Sequence, residues 1–89
     1  MIARRAIVSG QVQGVGFRFF ARRVAREAGI RGWVRNRPDG TVESLAEGEE
    51  DAVARYLGRL REGPRGSRVT AVEVEDVISE GTSSFDITG

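Results

Sequence analysis

The sequence predicts an α+β fold in which two helices cover one face of an antiparallel sheet. Apolar residues recur with a period of two in some segments and with the helical period in two others, and turns rich in glycine or proline separate these segments. Their order is strand, helix, strand, strand, helix, strand, followed by a short strand near the C-terminus. For that order, packing both helices on the same face of the sheet is the compact arrangement.

The first strand is predicted over Ala6–Val12, and it leads into a glycine-rich turn. From Phe17 onward the pattern becomes helical, and Gly29 stands where a helix C-cap is expected. The opposite face of this helix carries charged residues and is predicted to face solvent. The apolar positions of the helix are Phe17, Phe20, Ala21, Val24, Ala25 and Ala28.

Ile30–Arg37 alternates as a second strand, with Trp33 on the face opposite Val34. A hairpin turn at Pro38-Asp39-Gly40 follows, because proline presets φ and glycine accepts a positive φ. Thr41–Glu47 is the predicted third strand.

The second helix is predicted to begin at the acidic run Glu49–Asp51, where the helix dipole favours negative charge. This helix is predicted to end at Gly63–Gly66. The short last strand is predicted over Phe85–Thr88. In Val69–Ile78, the fourth strand, we expect Val72 and Val74 to face the core and Glu73 and Glu75 to face outward. The apolar stripe of the helix consists of Val53, Tyr56, Leu57 and Leu60. Together these elements predict a ferredoxin-like α/β sandwich.

The composition excludes several kinds of chemistry. The 89 residues contain 14 basic and 13 acidic side chains, a formal net charge of +1, and all the basic residues are arginine. With no Cys, His or Lys, disulfides, structural zinc, Ser-His-Asp catalysis and Schiff bases are excluded.

The length predicts a single domain, 1–89, and the lack of a long apolar run or signal peptide predicts a cytoplasmic location. The scarcity of amide side chains fits a thermostable protein or the codon usage of a high-GC genome.

The stretch from Gly10 to Arg18 is the most unusual part of the sequence. Three glycines between a strand and a helix allow consecutive backbone N–H groups to point into one concavity, which favours a phosphate or carboxylate. Arg18 could add a guanidinium fork. The glycine spacing does not fit a dinucleotide-binding fingerprint, and a Walker A motif needs a lysine. A tight turn with Arg18 on the helix surface, and Asn36 as a strand-end residue, is the alternative interpretation.

Two segments resemble the signatures of the acylphosphatase family. Gly10–Arg18 is similar to that family's G-x-V-Q-G-V-x-F-R, and Gly29–Asn36 is similar to its G-x-x-G-W-V-x-N. The resemblance continues through Asp39–Val42 and, more weakly, to Phe85–Ile87, so that it covers nearly the whole chain.

The resemblance implies hydrolysis of acyl phosphates without a metal ion or other cofactor. By position, it implies that Arg18 binds the phosphate and that Asn36 orients the attacking water. Substrate binding is further assigned to the backbone amides of Gln13, Gly14, Val15, Gly16 and Phe17. The expected partners are a small-molecule acyl phosphate and its product, inorganic phosphate. We expect a monomer that binds neither nucleic acid nor membranes.

Two other classes of protein share this element order. RNA-recognition domains place aromatic residues on their two middle strands, whereas Arg5–Ser9 and Thr41–Leu45 contain none. An acylphosphatase-like domain kept as a binding or maturation module would look the same in sequence. A metal-binding ferredoxin-like domain is excluded by the missing Cys and His.

Overall fold

The computed structural model describes residues 1–89 and confirms the predicted fold class. The elements in chain order are β1 (Ile2–Gln11), α1 (Phe17–Glu27), β2 (Arg31–Asn36), β3 (Val42–Gly48), α2 (Glu50–Glu62), β4 (Arg68–Asp76) and β5 (Phe85–Ile87). The strands form one sheet in the order β4-β1-β3-β2-β5. Helix α1 packs on β2 and β5, and α2 packs on β1, β3 and β4. Neither helix is long and apolar enough to cross a membrane.

Two features of the strands differ from the sequence prediction. Strand β1 begins at Ile2 rather than Ala6, because Arg4 and Arg5 break the apolar alternation but pair with carboxylates on β4. Strand β5 runs parallel to β2, so the sheet is mixed rather than wholly antiparallel. The loop after β4 crosses from one edge of the sheet to the other at a single end, so β5 starts at the end where β4 finishes and runs in the direction of β2.

Helix α1 begins and ends where the sequence predicts. Its first residue is Phe17, and its last turn closes with hydrogen bonds from the Gly29 N–H to the Arg26 carbonyl and from the Ile30 N–H to the Ala25 carbonyl. This pair of bonds is a Schellman motif. The motif turns the chain directly from α1 into β2.

The core lies between the helices and the sheet. It is one cluster of 18 buried residues that includes every predicted position of the α2 stripe. One polar pair lies within it: the hydroxyls of Ser44 on β3 and Tyr56 on α2 are 2.8 Å apart. Burial raises the pKa of Tyr56, although the bond with Ser44 opposes the shift. Tyr56 therefore stays protonated and serves the packing of α2.

The burial predicted for β4 is partly wrong. Val72 and Val74 lie opposite the buried Val8 and Ala6 of β1, so they point to the helix side as expected. Val74 is nevertheless 37% exposed. As the outermost strand, β4 has a neighbouring strand on one side only, and part of its inner face stays open to solvent.

The sheet face opposite the helices carries a buried carboxylate. Glu43 on β3 is only 3% exposed and pairs with Arg5 at 2.5 Å and with Arg35 at 2.6 Å. Its burial opposes ionisation, but the bonds from Arg35 and Arg5 outweigh that effect and lower its pKa. Because the two arginines stand on β1 and β2, this network connects the three central strands.

A second buried carboxylate, Glu47, holds the loop between β4 and β5 against the same face. It accepts hydrogen bonds from the backbone N–H of Glu80 at 2.5 Å and of Thr82 at 2.9 Å, and from the Thr82 hydroxyl. Burial by itself raises the pKa of Glu47, but these bonds, with one from Ser79, overcome it and lower the pKa to about 2.

We expect the Glu47→Gln substitution to lower the free energy of unfolding at pH 7 by about 2–3 kcal/mol, because hydrogen bonds to a charged group are lost. Glu47 has a lowered pKa in the folded state, so its contribution is fully present above its ordinary pKa of 4.5 and is lost as the pH falls toward about 2. Urea unfolding at pH 7 and pH 3 should therefore show a smaller difference between wild type and variant at pH 3. Glu73→Gln, at an exposed position, is the control, and an equal difference at both pH values would contradict this role.

Candidate active site

The backbone between β1 and α1 forms a concavity lined by N–H groups, which we call the cradle and define as Gln13–Phe17. Gly14 and Gly16 have φ values of +75° and +76°, and Val15 between them does not have a positive φ. Alternation of left-handed residues with ordinary ones turns successive N–H groups to the same side. A side chain at either glycine would meet no neighbouring atom, so backbone conformation, not space, requires glycine there.

The cradle is fixed at its two ends and open to solvent between them. Val12, just before it, is 1% exposed, and Phe17 is 2% exposed. The side chains of these two residues belong to the core, whereas Gln13, Gly14 and Gly16 are exposed. The packed ends hold the shape of the loop while its amides remain accessible.

The helix that follows the cradle leaves the positive end of its dipole uncompensated. Gly16 is the N-cap of α1, no side chain caps the helix, and its first turn has no acidic residue. Helix α2, in contrast, has Glu50 and Asp51 in its first turn. The cradle and the first turn of α1 therefore offer uncapped N–H donors and positive potential, which favour an anion.

Arg18, the second residue of α1, is half-buried and has no partner within the chain. It forms no hydrogen bond, ion pair or cation–π contact with any residue. The other partly buried arginines have such partners; Arg22, for example, stacks over Phe19 at 5.4 Å. The Arg18 guanidinium, carried by the residue that follows the cradle, thus keeps all its donors free.

Asn36 is the last residue of β2 and has an unsatisfied polar atom. Its Oδ1 is buried, with no hydrogen-bond partner, and its side chain makes no hydrogen bond to another residue. Buried polar atoms are nearly always hydrogen-bonded, and an exception requires a reason. Because Asn36 lies beside Val42 of β3, which also pairs with Val8 of β1, it is level with the last residue of β1 that pairs with β3.

The side chain of Gln13 connects the cradle to the hairpin that follows Asn36. Its Nε2 donates to the carbonyl oxygen of Arg37 at 2.8 Å and to that of Thr41 at 2.9 Å. The hairpin itself is closed by a bond from the Arg37 N–H to the Thr41 carbonyl at 2.8 Å. The structure therefore brings the cradle and the Asn36 end of β2 to the same end of the sheet.

Asp39 stabilises the turn of that hairpin. Its Oδ1 accepts hydrogen bonds from the Thr41 hydroxyl at 2.6 Å and from the Thr41 N–H at 3.0 Å. These bonds, with the nearby Arg37 guanidinium, lower the pKa of Asp39. Asp39 has the turn role that the sequence predicts.

The sequence prediction considered only the backbone amide of Gln13 and missed its side-chain contacts. A signal was present, because the chain has only two glutamines and one asparagine, and Gln13 and Asn36 are among them. The two carbonyl partners of Gln13 could not be identified, because they belong to a hairpin more than twenty residues away in the chain.

The fold and the site together define a ferredoxin-like domain with a nest of backbone amides between its first strand and first helix. The family model for acylphosphatase matches residues 4–87. The chain therefore belongs to the acylphosphatase family, and like its relatives it is a hydrolase that acts on acyl phosphates.

Comparison with individual relatives agrees with this assignment. The acylphosphatase of Archaeoglobus fulgidus is 49% identical over 87 residues, and the match covers 98% of each chain. The crystal structure of acylphosphatase from Bacillus subtilis covers all of both chains, with 43% identity and a TM-score of 0.97. Full-length HypF, in a phosphate- and nucleotide-bound form, matches 99% of this chain but only 12% of its own, with 28% identity and a TM-score of 0.89.

Proposed function

We propose that the protein hydrolyses the carboxyl–phosphate bond of acyl phosphates without a metal ion. In this proposal the cradle amides and Arg18 bind the phosphoryl oxygens, and Asn36 orients the attacking water. The observation that carries the proposal is that the two side chains nominated from the sequence, Arg18 and Asn36, both have polar atoms without partners next to a cradle of donors. A buried amide oxygen that served the fold alone would be paired, as the Asn36 Oδ1 is not.

The leaving group explains why these residues suffice. Hydrolysis forms a bond between water oxygen and phosphorus and breaks the bond from phosphorus to the acyl oxygen. The expelled carboxylate has a conjugate acid with a pKa of about 4, so it leaves without a proton. No general acid is needed, which agrees with a chain that contains no His, Lys or Cys.

Stabilisation of charge on the phosphoryl oxygens supplies the catalysis. Phosphoryl transfer depends mainly on positioning and on neutralising the equatorial oxygens, and a preorganised set of N–H donors serves this purpose well. The amide of Asn36 is no base, so it holds the water in line while the proton passes to the phosphate itself. The products are a carboxylate and inorganic phosphate.

A phosphate-binding module without hydrolytic activity is the second candidate function. The match to HypF is the reason to test it, because there the same fold is one part of a longer chain, of which the match covers 12%. In that case the cradle would bind a phosphorylated ligand, and Asn36 would take no part in a reaction.

Hydrolysis of benzoyl phosphate in excess EDTA distinguishes the two functions. We expect rapid cleavage that EDTA does not reduce, and negligible cleavage of p-nitrophenyl phosphate, because a phenolate is more basic than a carboxylate and is therefore the poorer leaving group. Folded protein that binds phosphate but leaves benzoyl phosphate intact would contradict hydrolysis and support the binding module. Loss of activity in EDTA would contradict metal independence alone.

We further propose that the protein is a single domain that acts as a monomer in the cytoplasm. Its proposed substrates are small-molecule acyl phosphates, and it binds neither nucleic acid nor membranes. The cradle, Arg18 and Asn36 all come from one chain, so the proposed site needs no residue from a second copy. The middle strands β1 and β3 have no aromatic residues on which bases would stack. Sedimentation of the active enzyme tests the monomeric state.

A further inference from the structure

We infer that the side chain of Gln13 is a positioning residue that fixes Asn36 relative to the cradle. This inference rests on the proposed function, because it assigns to Gln13 the alignment of the two halves of the site. It goes beyond the role of the Gln13 backbone amide, since it concerns the two hydrogen bonds that its side chain donates to the hairpin.

Sheet pairing does not connect the two halves of the site directly. The cradle continues from β1, whereas Asn36 ends β2, and β3 lies between these strands. Pairing of β1 with β3 stops at Val8 and Val42, and beyond that point β1 pairs only with β4. At neighbouring-strand spacings of about 4.8 Å, β1 and β2 are roughly 10 Å apart. Another contact must therefore bridge the gap at this end of the sheet.

The amide of Gln13 provides that contact at both ends of the hairpin loop. The Arg37 carbonyl follows Asn36 directly, and the Thr41 carbonyl precedes β3. Both carbonyls also close the turn, through bonds from the Gly40 N–H at 3.1 Å and the Arg37 N–H at 2.8 Å. The Gln13 side chain thus completes the hydrogen bonding of the loop that follows Asn36.

A primary amide fits this arrangement well. A glutamine NH₂ group donates two hydrogen bonds from one atom, which is what two carbonyl oxygens require. A carboxylate of the same shape has no donor and would be repelled by both oxygens. A methionine fills a similar volume without donors or charge, and is therefore the substitution that removes the two bonds most selectively.

The test compares Gln13→Met with Gln11→Met, a control at an exposed glutamine whose side chain makes no hydrogen bond. Displacement of a reacting group by about 1 Å can cost about a hundredfold in rate. We expect Gln13→Met to lower kcat for benzoyl phosphate by about 10- to 100-fold. The inhibition constant of inorganic phosphate should change less than about threefold, because the cradle amides and Arg18 remain.

A double-mutant cycle with Asn36→Ala shows whether Gln13 acts through Asn36. We expect Gln13→Met to change kcat less than about twofold in the Asn36→Ala background. Equal losses in both backgrounds would overturn the inference, as would a rise in the phosphate inhibition constant that matches the loss in kcat. Gln13→Asn, which is too short to reach both carbonyls, is run in parallel, so that a folding defect in one variant does not decide the result.

A spectroscopic measurement separates this inference from the proposed function. Asn36 is the only asparagine in the chain, so selective ¹⁵N labelling gives a single pair of side-chain amide signals. We expect these signals to shift in Gln13→Met and to stay in place in Gln11→Met. Unchanged signals would overturn the link between Gln13 and Asn36. If the signals shift in Gln13→Met but the wild-type protein does not hydrolyse benzoyl phosphate, only the proposed hydrolysis is contradicted.

Discussion

The Arg18→Ala substitution is expected to lower kcat/KM for benzoyl phosphate by about a thousandfold, or roughly 4 kcal/mol. In the proposed site the Arg18 guanidinium contacts the phosphate in both the ground state and the transition state. Turnover and phosphate binding should therefore both weaken. Steady-state kinetics and inhibition by inorganic phosphate measure the two effects separately.

Two further variants show which property of Arg18 matters. Arg18→Lys keeps the charge but loses the planar fork, and we expect it to recover only part of the activity. Arg22→Ala removes a partly buried arginine one turn further along the same helix and should leave kcat/KM within about twofold. Because Arg18 has no partner in the folded chain, its loss should hardly change the free energy of unfolding. An active Arg18→Ala variant would contradict the proposed site.

The Asn36→Ala substitution is expected to raise the barrier by about 3–4 kcal/mol, as removal of one transition-state donor does elsewhere. In the proposed mechanism Asn36 holds the water, not the phosphate. The kcat for benzoyl phosphate should therefore fall by two to three orders of magnitude, while the inhibition constant of inorganic phosphate stays the same. Unchanged turnover would contradict this division of roles between Asn36 and Arg18.

The stability of the Asn36→Ala variant gives an independent check. A buried polar atom without a partner destabilises the folded state, so removing the amide should leave the free energy of unfolding unchanged or raise it. Thermal unfolding of the two proteins measures this difference. A marked loss of stability would mean that Asn36 serves the fold rather than the reaction.

Much of the local structure could be predicted from the sequence. The alternating glycines of the cradle, the start of α1 at Phe17 and the Pro38–Gly40 turn each depend on backbone preferences within a few residues. Arg18 and the cradle amides could be named together as candidates because they are contiguous in the chain. Asn36 was named from its resemblance to a family signature and not from local pattern.

Other features follow from the order of strands in the sheet, which the sequence does not state. Glu43 and Glu47 are charged residues that any local pattern predicts to face water. They are buried because β3 is the central strand of the sheet. The neighbouring strands supply Arg5 and Arg35, which pair with Glu43. The loop after β4 covers Glu47 and donates hydrogen bonds to it. The exposure of Val74 at the sheet edge has the same origin.

By itself, the sequence determined the element order, the donor-rich cradle and an inventory without His, Lys or Cys, because these depend on residue type and short spacing. Only the tertiary structure decided that β5 runs parallel to β2 and that Gln13 bonds to the hairpin after Asn36. Such contacts join residues that are distant in sequence, and their geometry depends on how the strands pair. The proposed alignment of Arg18 with Asn36 is therefore a property of the folded sheet.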